Sequence, residues 1–122
     1  MYLHFPTLVR LSVSNLIFRG KHWLSPANDG ICITAVECSQ CGNMTWLGRE
    51  DGSVHEYNLQ SGKLRKTFYR DLENKKLPHD DAVVGIGCQI LQIAVITAGR
   101  DGKMKAWRTK SGKFLEEISF EE

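Results

Sequence analysis

Residues 51–63 read Asp51-Gly52-Ser53-Val54-His55-Glu56-Tyr57-Asn58-Leu59-Gln60-Ser61-Gly62-Lys63, and residues 101–113 return to the same plan, with Asp101-Gly102, an aromatic at Trp107 and Ser111-Gly112-Lys113. The offset between the copies is 50 residues. It holds upstream, where Val36 pairs with Ile86 and Cys38 with Cys88, and downstream, where Leu64 pairs with Phe114 and Phe68 with Ile118. A period of that size marks an array of supersecondary units, each too small to bury its own apolar face. Two unrelated hairpins would have no reason to share one offset over so many landmarks.

Each landmark has a physical job. Asp-Gly is a hairpin turn signal, because the turn favours positive φ, which Gly reaches without steric cost and Asp tolerates. Asp51-Gly52 and Asp101-Gly102 mark one turn in each copy; Gly62 and Gly112, each within Ser-Gly-Lys, mark the second. Between the turns Val54, Glu56 and Asn58 alternate with Ser53, His55 and Tyr57, an imperfect period of two that predicts a strand. The second copy alternates more cleanly, with Met104 and Ala106 against Lys103, Lys105 and Trp107.

A chain of 122 residues makes one domain at most, or part of one. An apolar fraction of 42% and a charged fraction of 25% are those of a soluble globular protein. The net charge of +2 is too mild to announce a nucleic-acid binder, whose phosphate contacts need a concentrated basic surface. The first eighteen residues are largely apolar, but Pro6 and Arg10 interrupt them and neither a basic leader nor a small-residue cleavage pattern is present, so a secretory signal is not expected. No stretch approaches the length of a membrane span.

In chain order, residues 1–24 read as the end of a preceding unit. Val13-Ser14-Asn15-Leu16 parallels Glu56-Tyr57-Asn58-Leu59, and Arg19-Gly20-Lys21 parallels Ser61-Gly62-Lys63 with one extra loop residue. Ile31 to Cys38 is apolar and β-branched, which predicts a strand buried on both faces. Met44 to Gly48, Ser53 to Asn58 and a closing strand ending at Phe68 complete a four-stranded meander over 31–68, in outline one blade of a β-propeller. A polar insertion, 69–78, separates it from a second unit over 79–120, with strands at Val83 to Cys88, Ile93 to Ala98, Lys103 to Trp107 and Phe114 to Phe120. The expected fold class is all-β: an incomplete propeller of about two four-stranded antiparallel blades plus the edge of a preceding one. Blades bury their faces against one another and propellers have at least four, so two alone would leave apolar faces bare. The chain is therefore expected to be a fragment, or an incomplete product, of a longer propeller protein.

Six basic and two acidic residues lie between Lys63 and Lys76. Lys63, Arg65, Lys66, Lys75 and Lys76 form a candidate RNA or partner edge; a solvated loop, in which alternating charge keeps exposed strands soluble, is the competing reading. Cys38 and Cys41 have the two-residue spacing of metal and redox sites, but Cys32 and Cys88 fall in expected strands and no second paired motif exists. No metal or cofactor is expected, and free thiols fit a reducing compartment. The sequence presents no nucleophile and base pair or phosphate loop, so an enzyme is not expected.

His79 stands four residues before Val83 and seven before Ile86, where a WD repeat carries the histidine of its Gly-His pair, with Pro78 here in place of the glycine. Asp101 falls six before Trp107, the spacing of that family's turn aspartate and strand tryptophan. The resemblance implies a structural network of His79, Asp101 and Trp107, in which a carboxylate satisfies one imidazole nitrogen and a hydroxyl, with the indole beyond it, satisfies the other. Arg108 departs from the family's aspartate after tryptophan, and Ala98 stands where its serine or threonine often lies. The first blade keeps only Asp51 and Tyr57 of this pattern.

Over Ala35 to Lys66 the resemblance narrows. Gln40-Cys41-Gly42-Asn43, Gly48, Gly52 and Tyr57-Asn58-Leu59-Gln60-Ser61-Gly62 followed by Leu64-Arg65-Lys66 are similar to one blade of the tandem-propeller WD-repeat subunit of the small-subunit processome, the WD repeat-containing protein thirty-six family. The likeness runs from about Leu11 to Leu115, whereas that family's proteins carry two complete propellers and a helical C-terminal domain. It implies a non-catalytic scaffold of nucleolar small ribosomal subunit biogenesis and pre-rRNA processing. The partners it implies are other WD-repeat processome subunits and pre-ribosomal RNA or snoRNP, with no membrane. The alternative is a generic WD-repeat module that binds proteins or peptides outside ribosome assembly.

Overall fold

A computed structural model describes residues 17–19, 22–24, 27, 29–88 and 93–119. A short hairpin of β1 (Ile17–Arg19) and β2 (His22–Leu24) comes first; the rest of the expected preceding unit, and Phe120, lie outside the described residues. Strands β3 (Ile33–Cys38), β4 (Met44–Arg49), β5 (Val54–Asn58) and β6 (Leu64–Thr67) form one antiparallel sheet in sequence order. Strands β7 (Val83–Cys88), β8 (Ala94–Gly99), β9 (Lys103–Arg108) and β10 (Phe114–Ser119) form a second. The protein is all-β, as the sequence led us to expect. No helix among the described residues is long and apolar enough to cross a membrane.

The 50-residue period extends to the pairing. Tyr57 lies opposite Leu64 and Trp107 opposite Phe114; Glu56 lies opposite Lys66 and Ala106 opposite Glu116. The register shifts recur as well, between Ile33 and Ala35 in one sheet and between Val83 and Gly85 in the other. An irregularity that returns at the same place is a feature of the unit, since a bulge sets local twist and re-aims side chains.

The turns differ from the motif in one respect. Gly52, Gly62, Gly102 and Gly112 all take positive φ, at 92°, 72°, 80° and 74°. Asp51-Gly52, however, is not a two-residue hairpin loop: the Gly52 N–H donates to the Arg49 carbonyl at 3.1 Å and the Arg49 N–H to the Ser53 carbonyl at 3.0 Å, which leaves the glycine at the end of a longer turn. The Asp51 carboxylate closes that turn by accepting the Ser53 N–H at 2.9 Å. A Cβ on Gly52 would lie 2.0 Å from the His79 carbonyl oxygen, because the His79 N–H bonds the Gly52 carbonyl across the boundary between the sheets. Asn58 closes the second turn, its Oδ1 accepting the Gln60 and Ser61 N–H groups at 2.9 and 3.0 Å.

The core lies between the sheets. Trp46, Val54 and Phe68 meet Val83, Val95 and Trp107, all almost inaccessible to solvent, and Phe68 stacks on Trp107 with ring centroids 5.4 Å apart. Burial of each such side chain contributes about 1.5–3 kcal/mol. Leu47, Tyr57 and Leu59 form a second cluster on the opposite face of the first sheet.

One expectation about faces is corrected, and one face holds a residue that its chemistry alone would not place there. β3 is not buried on both sides: Thr34 is exposed and the rest of the strand half-buried, because among the described residues β3 and β7 end their sheets and pack beside each other. In β9 chemistry and burial are inverted, with Lys105 buried beside Trp107 while Met104 is exposed and Ala106 half-buried.

Candidate functional site

His79 sits in the connection leading to β7, Thr97 in β8, Asp101 in the β8–β9 turn and Trp107 in β9. The Trp107 Nε1–H donates to Thr97 Oγ1 at 2.9 Å, Thr97 Oγ1 lies 2.8 Å from His79 Nε2, and His79 Nδ1 lies 3.1 Å from Asp101 Oδ1. One polarity satisfies every atom: Thr97 accepts from the indole and donates to Nε2, and Nδ1–H donates to Asp101. That assignment needs a neutral ring. Burial holds His79 below its ordinary pKa even though the Asp101 hydrogen bond and charge pull the other way. Burial pushes Asp101 up, but the hydrogen bonds from the Asp80 N–H, His79 and the Lys103 N–H outweigh it and leave its pKa lowered.

The hydroxyl of this relay belongs to Thr97 and not to position 98, where the WD spacing put it. Successive residues of a strand face opposite ways, so the hydroxyl partner of Trp107 has to be Thr97, which pairs beside it on the buried side, while Ala98 faces away. Gly99 makes room: a Cβ there would lie 2.4 Å from His79 Nδ1 and 2.5 Å from Asp101 Oδ1.

The same positions in the first blade carry different chemistry. Fifty residues before His79, Thr97, Gly99, Asp101 and Trp107 stand Asp29, Leu47, Arg49, Asp51 and Tyr57. Arg49 Nη1 pairs with Asp29 Oδ2 at 2.6 Å, its Nε–H donates to Ser53 Oγ at 2.6 Å, and its Nη2 lies 3.7 Å from Asp51 Oδ2. The histidine relay of the second blade is thus replaced by a nearly buried arginine between two carboxylates, with aspartate for histidine and arginine for glycine. Asp29 and Arg49 went unrecognised in the sequence because neither matches a WD landmark; the offset applied to His79 and Gly99 would have found them. Beside this pair, burial and then the Arg49 charge lower the His55 pKa to about 4. The polar atoms of both relays are occupied by other protein groups, so their chemistry is that of fasteners.

The five residues of the candidate basic edge do not act together. Lys66 Nζ lies 3.2 Å from Glu56 Oε2 and donates to the carbonyls of Thr109 and Lys110 at 3.0 and 3.1 Å, clamping the second blade to the first. Glu56 is 2% exposed, and its Oε1 accepts the Trp46 Nε1–H at 2.8 Å. Arg65, more exposed, lies 3.8 Å from the same carboxylate. Lys63, Lys75 and Lys76 are exposed. Lys75 takes φ 52° in a small hairpin closed by hydrogen bonds between the Arg70 N–H and the Lys76 carbonyl and between the Lys76 N–H and the Asp71 carbonyl. Among the described residues no cluster of three His, Cys, Asp or Glu could hold a metal. Cys38 Sγ lies 3.6 Å from Thr45 Oγ1, and Cys41 Sγ lies 3.3 Å from Ser39 Oγ.

Two four-stranded antiparallel blades in tandem, fastened through a histidine, a threonine, a tryptophan and a turn aspartate, define a WD-repeat propeller segment, and the chain is a WD-repeat protein. No family model matches it. Its sequence is 32% identical over 103 residues to human WD repeat-containing protein 36 and 31% identical over 99 residues to the U3 small nucleolar RNA-associated protein 21 homolog of Schizosaccharomyces pombe. It is 36% identical over 84 residues to U3 small nucleolar RNA-associated protein 21 of Saccharomyces cerevisiae. These matches take in 82%, 81% and 69% of the chain but 11%, 10% and 8% of the relatives, so the chain spans about a tenth of their length. Among solved structures, the RRP9 WD40 repeats superpose with a TM-score of 0.67 at 13% identity, over 86% of this chain and 28% of that one. The Cps50 (Swd1) β-propeller of Myceliophteria thermophila does so with 0.65 at 19% identity, over 88% and 27%. At such identities these likenesses speak to the fold alone.

Proposed function

We propose that the chain is a non-catalytic scaffold segment of nucleolar small ribosomal subunit biogenesis, working with other WD-repeat processome subunits and with pre-ribosomal RNA or the U3 snoRNP. The observation that carries the reading is its sequence similarity to relatives named for association with U3 small nucleolar RNA, across most of this chain. The fastened, internally satisfied blades support a scaffold, because the buried His79 and Arg49 are occupied in holding strands together.

The edge that meets RNA is Lys63, Lys75 and Lys76, since Lys66 is engaged between the blades. Each phosphate contact to single-stranded RNA contributes about 0.7 to the slope of log affinity against log salt. The triple variant K63Q/K75Q/K76Q should therefore flatten the salt dependence of U3 or pre-rRNA binding by up to about 2 in that slope. An unchanged slope removes this edge from the interface. The wider reading is tested by capturing the tagged chain from nucleolar extract: recovery of U3 RNA with processome subunits supports it, and their absence would leave a WD module acting outside ribosome assembly.

A further inference from the structure

The outward face of the second sheet can be read against a template in the same molecule. Fifty residues before Ile96, Met104 and Ile118 stand Trp46, Val54 and Phe68, which the second blade covers completely. On the second blade Met104 and Ile118 are 38% and 55% exposed, and the hollow they line with Ile96 and Ala106 encloses about 390 Å³. The strands carrying these residues repeat the register of the first sheet, so the two faces correspond position by position.

One position breaks the correspondence by changing sign. In the first blade, opposite Glu56, Lys66 donates to the carbonyls of Thr109 and Lys110 in the turn of the neighbouring blade. Its counterpart, opposite Ala106, is Glu116. A carboxylate cannot receive carbonyl oxygens; at that place it requires donors, and beside an apolar hollow a cation answers it best. The replacements of Trp46 by Ile96 and Glu56 by Ala106 also put smaller, apolar side chains on the floor of the hollow, with Lys105 and Glu116 as its charged lining residues.

In a WD-repeat array such a face packs on the next blade, and we propose that Glu116 selects one whose turn brings a lysine or arginine side chain to the rim, where the first interface uses bare carbonyls. The blade supplies bulky apolar side chains in the places held by Trp107 and Phe114 in the existing interface, filling the space over Ile96 and Ala106. The inference rests on the repeat geometry and is independent of any role in ribosome assembly.

The test adds a blade to the whole chain. A copy of residues 69–119, with its own counterparts of Ile96, Met104 and Ile118 changed to threonine so that it brings no second apolar hollow, is appended after Glu122, either keeping the lysine at the counterpart of Lys110, which it presents to Glu116, or with that lysine changed to glutamate. Both are made with and without E116K in the parent sequence. Docking should reduce bis-ANS fluorescence several-fold relative to the 122-residue chain. With Glu116 the lysine-bearing copy should have the higher urea midpoint, and with E116K the order should reverse. An appended blade that leaves dye binding unchanged would overturn the docking surface. A preference that ignores the residue at 116 would overturn the selection by charge. Sedimentation of the 122-residue chain as a dye-silent dimer would assign the face to a second copy instead.

Discussion

Replacing Thr97 with valine keeps the shape of the side chain and removes one hydroxyl. Two buried groups then lose their partner together: His79 Nε2, in a residue 1% exposed, and the Trp107 Nε1–H, in a residue with no measurable exposure. Each orphaned group costs about 1–3 kcal/mol, so T97V should lower unfolding free energy by about 2–6 kcal/mol. Thr97→Ser keeps the hydroxyl and removes a methyl group, a loss of about 1 kcal/mol. Urea denaturation at pH 7.5, followed by tryptophan fluorescence, measures both. A cycle with Trp107→Phe separates the two bonds: in that background T97V should cost less by about 1 kcal/mol, the coupling of the missing pair. A valine variant within 0.5 kcal/mol of the parent, or one equal to the serine variant, would refute the relay as a stabilising device.

The two blade fasteners should be exchangeable. Gly99→Arg alone should prevent stable folding by driving a side chain into the His79 ring, whereas adding His79→Asp and Lys103→Ser rebuilds the arrangement of Asp29, Arg49 and Ser53; a triple variant no more stable than G99R by urea melting would refute the equivalence. Lys66→Met leaves the Glu56 carboxylate buried beside Trp46 without its closest cation and should cost about 3 kcal/mol, while the double variant K66M/E56Q should recover most of it in the same assay. His55 and His79 both have folded pKa values below the unfolded one, so the unfolded chain binds more protons, and their contribution is complete above about pH 6.5 and is lost as pH falls. For His55, lowered from 6.5 to about 4, the full loss is about 3 kcal/mol; urea midpoints should fall from pH 7 to pH 4.5 and H55Q should flatten the profile, whereas a midpoint that rises on acidification would contradict the sign.

Particular residues show how far the sequence was legible. The turns at Gly52, Gly62, Gly102 and Gly112 could be placed because positive φ is a local demand that few residue types meet. His79, Asp101 and Trp107 were singled out by the resemblance to a WD repeat, whose landmark positions they occupy. Thr97 was missed by one position, because a spacing rule carries no record of which way a strand residue faces, and that one step exchanges the buried side for the open one. Asp29 and Arg49 were missed because an ion pair 20 residues apart in sequence leaves no local pattern. Lys66 looked like one basic residue in a run of six, and only the contact with Glu56 and two carbonyls of the neighbouring blade distinguishes it from Lys63.

What the sequence determined by itself is the unit: four strands, their turns and a period of 50, all written in short-range chemistry that each copy states independently. Tertiary structure decided which face of each strand is covered, which charges are engaged and how the two copies differ in their fasteners. Those outcomes depend on pairs such as Glu56 with Lys66, His79 with Thr97 and Arg49 with Asp29, whose energies exist only once separate strands are brought within hydrogen-bonding distance.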